Sequence, residues 1–490
     1  MAARGEALAN AGRCEEAANV FREAAVGEEA KERTRLLRRA AEQLLFGGQI
    51  DEAREIIGLE LRAAGFPLAG SPLSAMVSLL VHRAYLRFRS LEVRNNGRPS
   101  AAPEQVTLLR HIYKVSVGLG GVDAFIGGEM ATRFMLRALG VGDRGLIARG
   151  VCLIAGHGTI EAPTSRRTRL LLERMAAHGE HLGDREVDSA MYTVRGFQGY
   201  FAGDWRRGLG HLDAADKILT EECHGLVWEL WSGRTLALWC LFFLGEWREL
   251  ERRVSAGFRE ACEVGNVYAM QGMCASYGIT AWLARGDVER ARQTLEEVIS
   301  RWRVRGFQFQ YLWFLIADCF ILLFSGKGSE AWAQLNGRWG VIANSAFTLR
   351  FPMLGLQVLH LRGSCALAAA EQTLSDERRV LLREAARAAN RLERVKLAHA
   401  RPLAELLRGG IAAQSGRMAD ATHHLEVAVQ GLERREMLAY AAAARLRLAR
   451  LKGESPPTFL AGEEVLDPEA ITRMLVPGFP EGDASFGPSA

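Results

Sequence analysis

The middle of the chain consists of apolar stretches rich in alanine and leucine, separated by short polar turns, and it contains no proline between Pro163 and Pro352. Because proline removes a backbone donor and collides with the preceding helical turn, uninterrupted helices exclude it. Runs of β-branched residues are few, so the composition favours helices over strands. The sequence therefore predicts an all-α protein built from packed helices.

A pattern of glycine, a polar residue, three variable residues and a small or apolar residue recurs along the chain. It starts at Gly12, Gly48, Gly203, Gly245, Gly286, Gly326 and Gly416, and the four central copies are 42, 41 and 40 residues apart. Glycine can adopt the left-handed conformation that ends a first helix, and the small residue lets a second helix pack closely. One hairpin cannot bury its apolar face alone, so hairpins must stack. The pattern predicts a tetratricopeptide-like α-α hairpin solenoid, a superhelix with repeats of about 40 residues.

The repeat places four first helices near 186–202, 226–244, 267–285 and 308–325, with partners near 205–220, 247–264, 288–304 and 328–341. A diverged hairpin fits around 349–392. A proline and glycine-rich break around a basic helix, expected from Leu73 to Arg94, separates the N-terminal hairpins from the main array. We therefore divide the chain into N-terminal helical hairpins (1–66), a basic helix and linker (67–103), irregular helical hairpins (104–185), the tetratricopeptide-like solenoid (186–453), and a capping helix with a tail (454–490).

The C-terminal region carries one clear start signal. Asp467 is followed by Pro468, which is typical of a capping residue and the first position of a helix. We expect a short helix there and a frayed tail after Pro477.

Charge and cysteine content exclude several classes of protein. The net charge is only +5, and paired arginines such as Arg252-Arg253 lie within a few residues of acids, so the pattern does not favour nucleic-acid binding. The eight cysteines are scattered without a C-x-x-C pair, as expected of buried thiols in a reducing cytoplasm.

The N-terminus lacks the apolar stretch of a signal peptide, and the most apolar window, 311–324, is too short to span a membrane. We expect a cytoplasmic protein without a membrane span.

No constellation for catalysis or for a metal ion stands out, so we expect neither an enzyme nor a cofactor. The chain has no phosphate-binding loop and no kinase H-R-D or D-F-G motif. His178 and His181 have the wrong interval for a zinc helix, and the neighbours His423 and His424 point about 100° apart. The segment 156–159 (Gly-His-Gly-Thr) is expected to be a loop that connects helices, and Cys223 beside His224 is no evidence of an activated pair.

Two positions in each first helix, ten and six residues before the turn glycine, are expected to face the concave side of a tetratricopeptide array. They are Thr193 and Phe197, Thr235 and Trp239, Ser276 and Thr280, and Ile316 and Phe320. A groove of hydroxyls and aromatic rings suits an extended peptide or a flat ligand. Alternatively, tight winding of the array buries these side chains.

Several segments carry a family resemblance, among them ALANAGRCEEAANVFREAA (7–25), RRAAEQLLFGGQIDEA (38–53), LALWCLFFLGEWREL (236–250) and ITRMLVPGFP (471–480). With these segments the chain resembles the C-terminal repeat region of bacterial, especially myxobacterial, signalling proteins. In that family a serine/threonine kinase domain precedes a regulatory ATPase of the signal-transducing NTPase class, and the helical array follows. The resemblance implies a recognition arm without catalytic domains.

The expected function is therefore a non-catalytic interaction or sensor module of a bacterial signalling system. Its partner would be a protein, such as a kinase–ATPase signalling protein, or a small ligand held in the concave groove. One alternative is the ligand-sensing arm of a transcriptional regulator, with any DNA contact on another polypeptide. The other is part of a serine/threonine kinase–ATPase, by inheritance from full-length relatives.

Overall fold

The computed structural model describes residues 1–88, 102–121, 123–180, 182–223, 225–302, 309–345, 351–374 and 376–479. Within these ranges the chain forms 24 α-helices and one short 3-10 helix, and no strand. The all-α prediction is confirmed. Most helices pack against their neighbours in the chain, as pairs joined by short turns.

Residues 1–180 contain nine helices in their described part. They are α1 (Ala2–Asn10), α2 (Cys14–Ala24), α3 (Ala30–Phe46), α4 (Ile50–Ala63), α5 (Pro72–Arg87), α6 (Pro103–Gly120), α7 (Ala124–Val141), α8 (Arg144–Glu161) and α9 (Arg166–Gly179). The basic helix predicted to reach Arg94 is α5, and its expected last turns lie outside the described residues. One face of α5 leaves apolar side chains exposed, including those of Leu73, Leu80 and Tyr85.

The central part follows the predicted hairpins closely. Its helices are α10 (Arg185–Ala202), α11 (Trp205–Glu221), α12 (Val227–Leu244), α13 (Trp247–Glu263), α14 (Val267–Cys274), α15 (Thr280–Ala284), α16 (Val288–Arg301), α17 (Phe309–Phe324) and α18 (Gly328–Ala343).

The C-terminal part contains six more helices. They are α19 (Pro352–Glu371), α20 (Asp376–Leu392), α21 (Ala400–Gln414), α22 (Met418–Glu433), α23 (Leu438–Lys452) and α24 (Pro468–Leu475). Helix α19 is long and apolar enough to cross a membrane, but 94% of its apolar window is buried inside the protein, as in the core helix of a globular protein.

All seven turn glycines adopt the left-handed conformation, with φ between +71° and +81°. The residues five positions later are buried, and Ala17, Ala53, Ala291, Ala331 and Ala421 have no accessible surface. A side chain at the glycine would be strained and a larger one at the alanine would separate the helices. Each of these seven turns thus has a left-handed glycine, followed five positions later by a buried residue.

The sequence predicts one continuous helix over 267–285, the first helix of the third central hairpin, but the structure shows a break there. Helix α14 ends at Cys274, the 3-10 helix covers Ser276–Ile279, and α15 resumes at Thr280. Ser276 has a φ of +52°, which is uncommon for a residue with a side chain. Tyr277 lies in this break and packs against two phenylalanines: the centroid of its ring is 4.4 Å from that of Phe242 and 4.9 Å from that of Phe243. The helix is thus interrupted where Tyr277 packs into the aromatic core.

The end of the described chain is packed rather than frayed. Asp467 caps α24 by accepting a hydrogen bond from the backbone N–H of Ala470 at 2.8 Å, as its sequence predicts. Beyond α24, Phe479 is 4% exposed, and Gly478 lies against Leu367 of α19. The tail predicted to fray after Pro477 is therefore ordered to Phe479, because Phe479 is buried against α21. The rest of the predicted tail lies outside the described residues.

Candidate functional site

A cavity of about 200 Å³ lies between α6, α8, α10, α12, α14, α17 and α19. On the same measure a single water molecule needs roughly 10 to 15 Å³, so the cavity accepts a small organic molecule. Several of its lining residues, among them His157, Phe197 and Trp313, are only half-buried, which marks the side open to solvent. Helices from several hairpins therefore share one internal site.

Among the described residues, eight aromatic side chains line the cavity. They belong to Tyr113, Phe197, Tyr200, Phe201, Trp239, Tyr268, Phe309 and Trp313. At one end Trp239 contacts Trp313 edge to face, with centroids 4.9 Å apart, and Tyr200 lies 5.6 Å from Trp239. Rings that brace one another in this way form a rigid apolar surface.

Helix α8 opens space for the cavity because it presents glycine there. The segment 156–159, predicted as a loop, lies inside α8, so that prediction was wrong. Glycine is unfavourable in a helix, but here close packing holds the helix in place. At Gly158 the neighbouring side chains of Leu171 and Thr168 lie 3.4 Å from the position that a β-carbon would occupy. Gly156 and His157 both line the cavity. Because Gly156 has no side chain, it leaves space at the cavity wall.

Helix α12 supplies a strip of side chains along the cavity. Glu229, Ser232, Leu236 and Trp239 line it at helical intervals of three, four and three residues, which puts them on one face. At a rise of 1.5 Å per residue, Glu229 and Trp239 are separated by about 15 Å along the axis. The strip thus has a carboxyl at one end and an indole at the other.

Some polar groups of the wall are satisfied within the protein. The hydroxyls of Ser232 and Tyr268 are 2.8 Å apart, and the amide Nε2 of Gln357 donates to the hydroxyls of Tyr200 and Tyr277 at 3.1 Å. Thr193 and Thr235 donate to the carbonyl oxygens of Ser189 and Trp231, one helical turn back, at 2.9 and 2.8 Å. These groups fix the shape of the wall.

Three other side chains of the wall have buried polar atoms with no hydrogen-bond partner in the part of the chain that the structure describes. The atoms are Oε1 of Glu229, Nε2 and Oε1 of Gln271, and Nε1 of Trp239. Glu229 is 9% exposed and Gln271 is fully buried. Burial raises the pKa of the Glu229 carboxyl to about 7, against smaller opposing effects of a backbone hydrogen bond and of Lys114. A buried polar atom without a partner is costly, and these four atoms belong to residues that line one cavity, where a bound molecule could pair with them.

The structure brings together four of the eight residues predicted to face the concave side. Thr193, Phe197, Thr235 and Trp239 line the cavity. Ser276 and Thr280 are buried outside it, where the hydroxyl of Thr280 donates to the carbonyl of Tyr277 at 2.6 Å. Ile316 and Phe320 are also buried and line a second cavity of about 10 Å³, room for no more than a water molecule.

Glu229 and Gln271 were not among the predicted site residues. The signal that could have found them is a single acid or amide in a largely apolar helix: VWELWSGRTLALWCLFFL for α12 and VYAMQGMC for α14. Such a side chain either faces solvent or is buried. Sequence alone does not separate these cases, because apolar residues occur on every side of both helices.

The other candidates for chemistry are dispersed. No group of three potential metal ligands occurs among the described residues, and His181 and His224 lie outside them. His424 Nδ1 lies 2.7 Å from a carboxylate oxygen of Glu405, away from His178. The one cysteine of the cavity wall, Cys152, is no ready nucleophile, since burial raises the pKa of its thiol to about 12.

The sequence matches no protein-family model, and a search of curated proteins gave no match.

Proposed function

We propose that the protein is a non-catalytic sensor module that binds a small, largely apolar organic molecule in the cavity between α6, α8, α10, α12, α14, α17 and α19. The observation that carries the proposal is the combination of an aromatic wall with buried polar atoms that have no partner in the described part of the protein. Ligand sites have this composition: a mainly apolar surface with a few polar groups that fix the orientation of the ligand.

The energetics favour an occupied cavity. Leaving a buried donor or acceptor unpaired costs about 1 to 3 kcal/mol. The terminal torsions of glutamate and glutamine are broad, so Glu229 and Gln271 can turn their polar atoms towards a guest at little cost. A guest with complementary polar atoms would remove these penalties and cover apolar surface of Trp239 and its neighbours.

The position of the cavity suits a sensor. In the proposed architecture, a tetratricopeptide-like superhelix with repeats of about 40 residues, helices from several hairpins meet at this site. A ligand that binds only the assembled form stabilises it by an amount that grows with ligand concentration. Binding would thereby set the rigidity and curvature of the array.

The signalling context is a further part of the proposal. The segments that resemble kinase–ATPase signalling proteins support a cytoplasmic recognition arm, with such a protein as the partner that receives the signal. The ligand would then control that partner, while this chain catalyses nothing itself.

Calorimetric titration of the full chain with two neutral aromatic probes, indole and 4-phenylbutan-1-ol, tests the ligand site. With roughly 0.3 kcal/mol or more for each of about ten non-hydrogen atoms, we expect dissociation constants of about 6 mM or lower. The variant Gly156→Leu should abolish binding. Its β-carbon meets only Val194, at an ordinary 3.6 Å, and leucine favours the helix, so the fold should persist while the side chain fills the cavity.

Gly210→Leu is the matched control. Gly210 lies on the exposed face of α11, with open space around its β-carbon position. This variant should bind both probes as the wild type does. Absence of binding by both probes, or equal binding by Gly156→Leu and the wild type, would overturn the proposed site.

A further inference from the structure

We infer that the ligand is an organic amine in its ammonium form with an apolar, aromatic-compatible body, and that Glu229 is its counter-ion. This inference rests on the proposed function of the cavity as a ligand site and names the chemical class of the ligand.

The charge distribution of the wall is one-sided. Glu229 is the only aspartate, glutamate, lysine or arginine among the described residues that line the cavity. Neither of two basic side chains outside the wall forms an ion pair with Glu229 in the described chain. Arg149 lies 2.9 Å from a carboxylate oxygen of Asp184 and 2.7 Å from one of Glu186. Lys114 is exposed on α6 and only partly offsets the effect of burial on the Glu229 carboxyl. A cation in this site therefore meets one carboxyl group and no ammonium or guanidinium group. An anion would meet the same carboxyl group, with no ammonium or guanidinium group in the wall to pair with it.

Glu229 also lacks the cationic partner that a buried carboxylate normally has. It is more than nine-tenths buried, its Oε1 has no hydrogen-bond partner in the described chain, and no ion pair involves it there. Buried carboxylates are normally paired with a cation or with several donors. An ammonium group supplies both the charge and up to three N–H donors. Oε1 of Gln271 is a second unpaired acceptor in the same wall.

The rest of the wall suits a cation with a hydrocarbon body. The faces of tryptophan and tyrosine rings attract cations, and more strongly so away from water. Tyr113 and Tyr268 line the cavity together with Glu229, and the group of Tyr200, Trp239 and Trp313 lies further along α12. An amine whose nitrogen is at Glu229 can thus extend its apolar part along the α12 strip. The site thus combines a single buried carboxyl group with the aromatic rings of these tyrosines and tryptophans.

Three probes of equal skeleton test this assignment: 4-phenylbutylamine, 4-phenylbutan-1-ol and 4-phenylbutanoate, titrated at pH 8. In the wild type the amine should bind at least tenfold more tightly than the alcohol, and the carboxylate should bind most weakly. In Glu229→Gln, which removes the charge and keeps the shape, the ratio between amine and alcohol should fall to about one while alcohol binding persists. Glu28→Gln, an exposed site outside the cavity wall, should keep the wild-type ratio.

The outcomes distinguish a wrong ligand class from a wrong ligand site. If the alcohol or the carboxylate binds as tightly as the amine, or if Glu229→Gln keeps the preference for the amine, the amine assignment is overturned while the ligand site stands. If none of the three probes binds, both the site and the assignment fall. Persistent alcohol binding by Glu229→Gln also shows that this variant folds.

Discussion

Gly12 and Gly265 are in direct backbone contact although 253 positions separate them in the chain: a β-carbon on Gly265 would lie 1.9 Å from the carbonyl oxygen of Gly12. The thiol of Cys14 adds a contact of 3.4 Å to the carbonyl oxygen of Gly265. The turn at Gly48 makes a similar approach, since its β-carbon position is 2.9 Å from the carbonyl oxygen of Arg301. The first hairpins therefore dock, through turns without side chains, on the ends of central helices.

Gly265→Ala should destabilise the protein by about 2 to 4 kcal/mol. The residue has a φ of +60°, so alanine would be strained, and its methyl group would collide with Gly12. Urea unfolding measures the loss. Gly286→Ala is the control, because Gly286 has a similar φ of +71° but open space around it, and it should lose only the strain part, about 1 kcal/mol. Equal losses in the two variants would mean that the docking contact contributes nothing.

Ala291→Arg should lower the free energy of unfolding by several kcal/mol. Ala291 follows the turn at Gly286 and has no accessible surface, so arginine would force apart the helices of the hairpin and bury a charge. Thermal melting checks this, with Gln293→Arg on the exposed face of α16 as the control. If the two variants melt at the same temperature, the close packing assigned to this hairpin is wrong.

Glu229→Gln should stabilise the empty protein at pH 8 and have little effect below pH 4.5. Since the pKa of Glu229 is raised from 4.5 to about 7, folding is opposed by an amount that is zero below pH 4.5, grows as the pH rises, and is constant above 7. The full effect is about 3 kcal/mol. Urea unfolding at several pH values measures it, with Glu28→Gln as a variant that should follow the wild type. A stabilisation independent of pH would show that the Glu229 carboxyl is not perturbed.

His360→Phe should make the protein more resistant to acid. His360 is 7% exposed, and burial lowers its pKa to about 4, so its neutral form supports folding fully above pH 6.5 and less and less as the pH falls towards 4. Removing the titrating group should shift the midpoint of acid unfolding to lower pH, as circular dichroism can follow. His423→Phe, at an exposed position of α22, should leave the midpoint unchanged. The same shift in both variants would refute the role of burial.

Local signals in the sequence predicted much of the fold. A glycine that must be left-handed and a small residue five positions later define a hairpin within a few turns of chain, and the bounds of α10, α11, α12 and α13 agree with prediction to within a residue or so. The break at Ser276 was not predictable, because its surroundings come from Phe242, Phe243 and Gln357, far away in the chain.

The candidate site was predictable only in part, for a related reason. Counting back from the turn glycines selected Thr193 and Trp239, since helical periodicity fixes which face a residue shares with its neighbours. The cavity itself depends on α6, α8 and α19, which no spacing rule connects to α12. Gly156 illustrates the difficulty: a glycine pair around a histidine indicates a loop locally, yet tertiary packing keeps that segment helical.

A crystal structure of the full protein soaked with 4-phenylbutylamine at pH 8 locates the bound amine. We expect one molecule between α12 and α6, α8 and α10, with its nitrogen within hydrogen-bonding distance of a carboxylate oxygen of Glu229 and its ring near Trp239. An empty cavity under conditions where calorimetry shows the amine bound, or an amine bound elsewhere on the protein, would contradict this expectation.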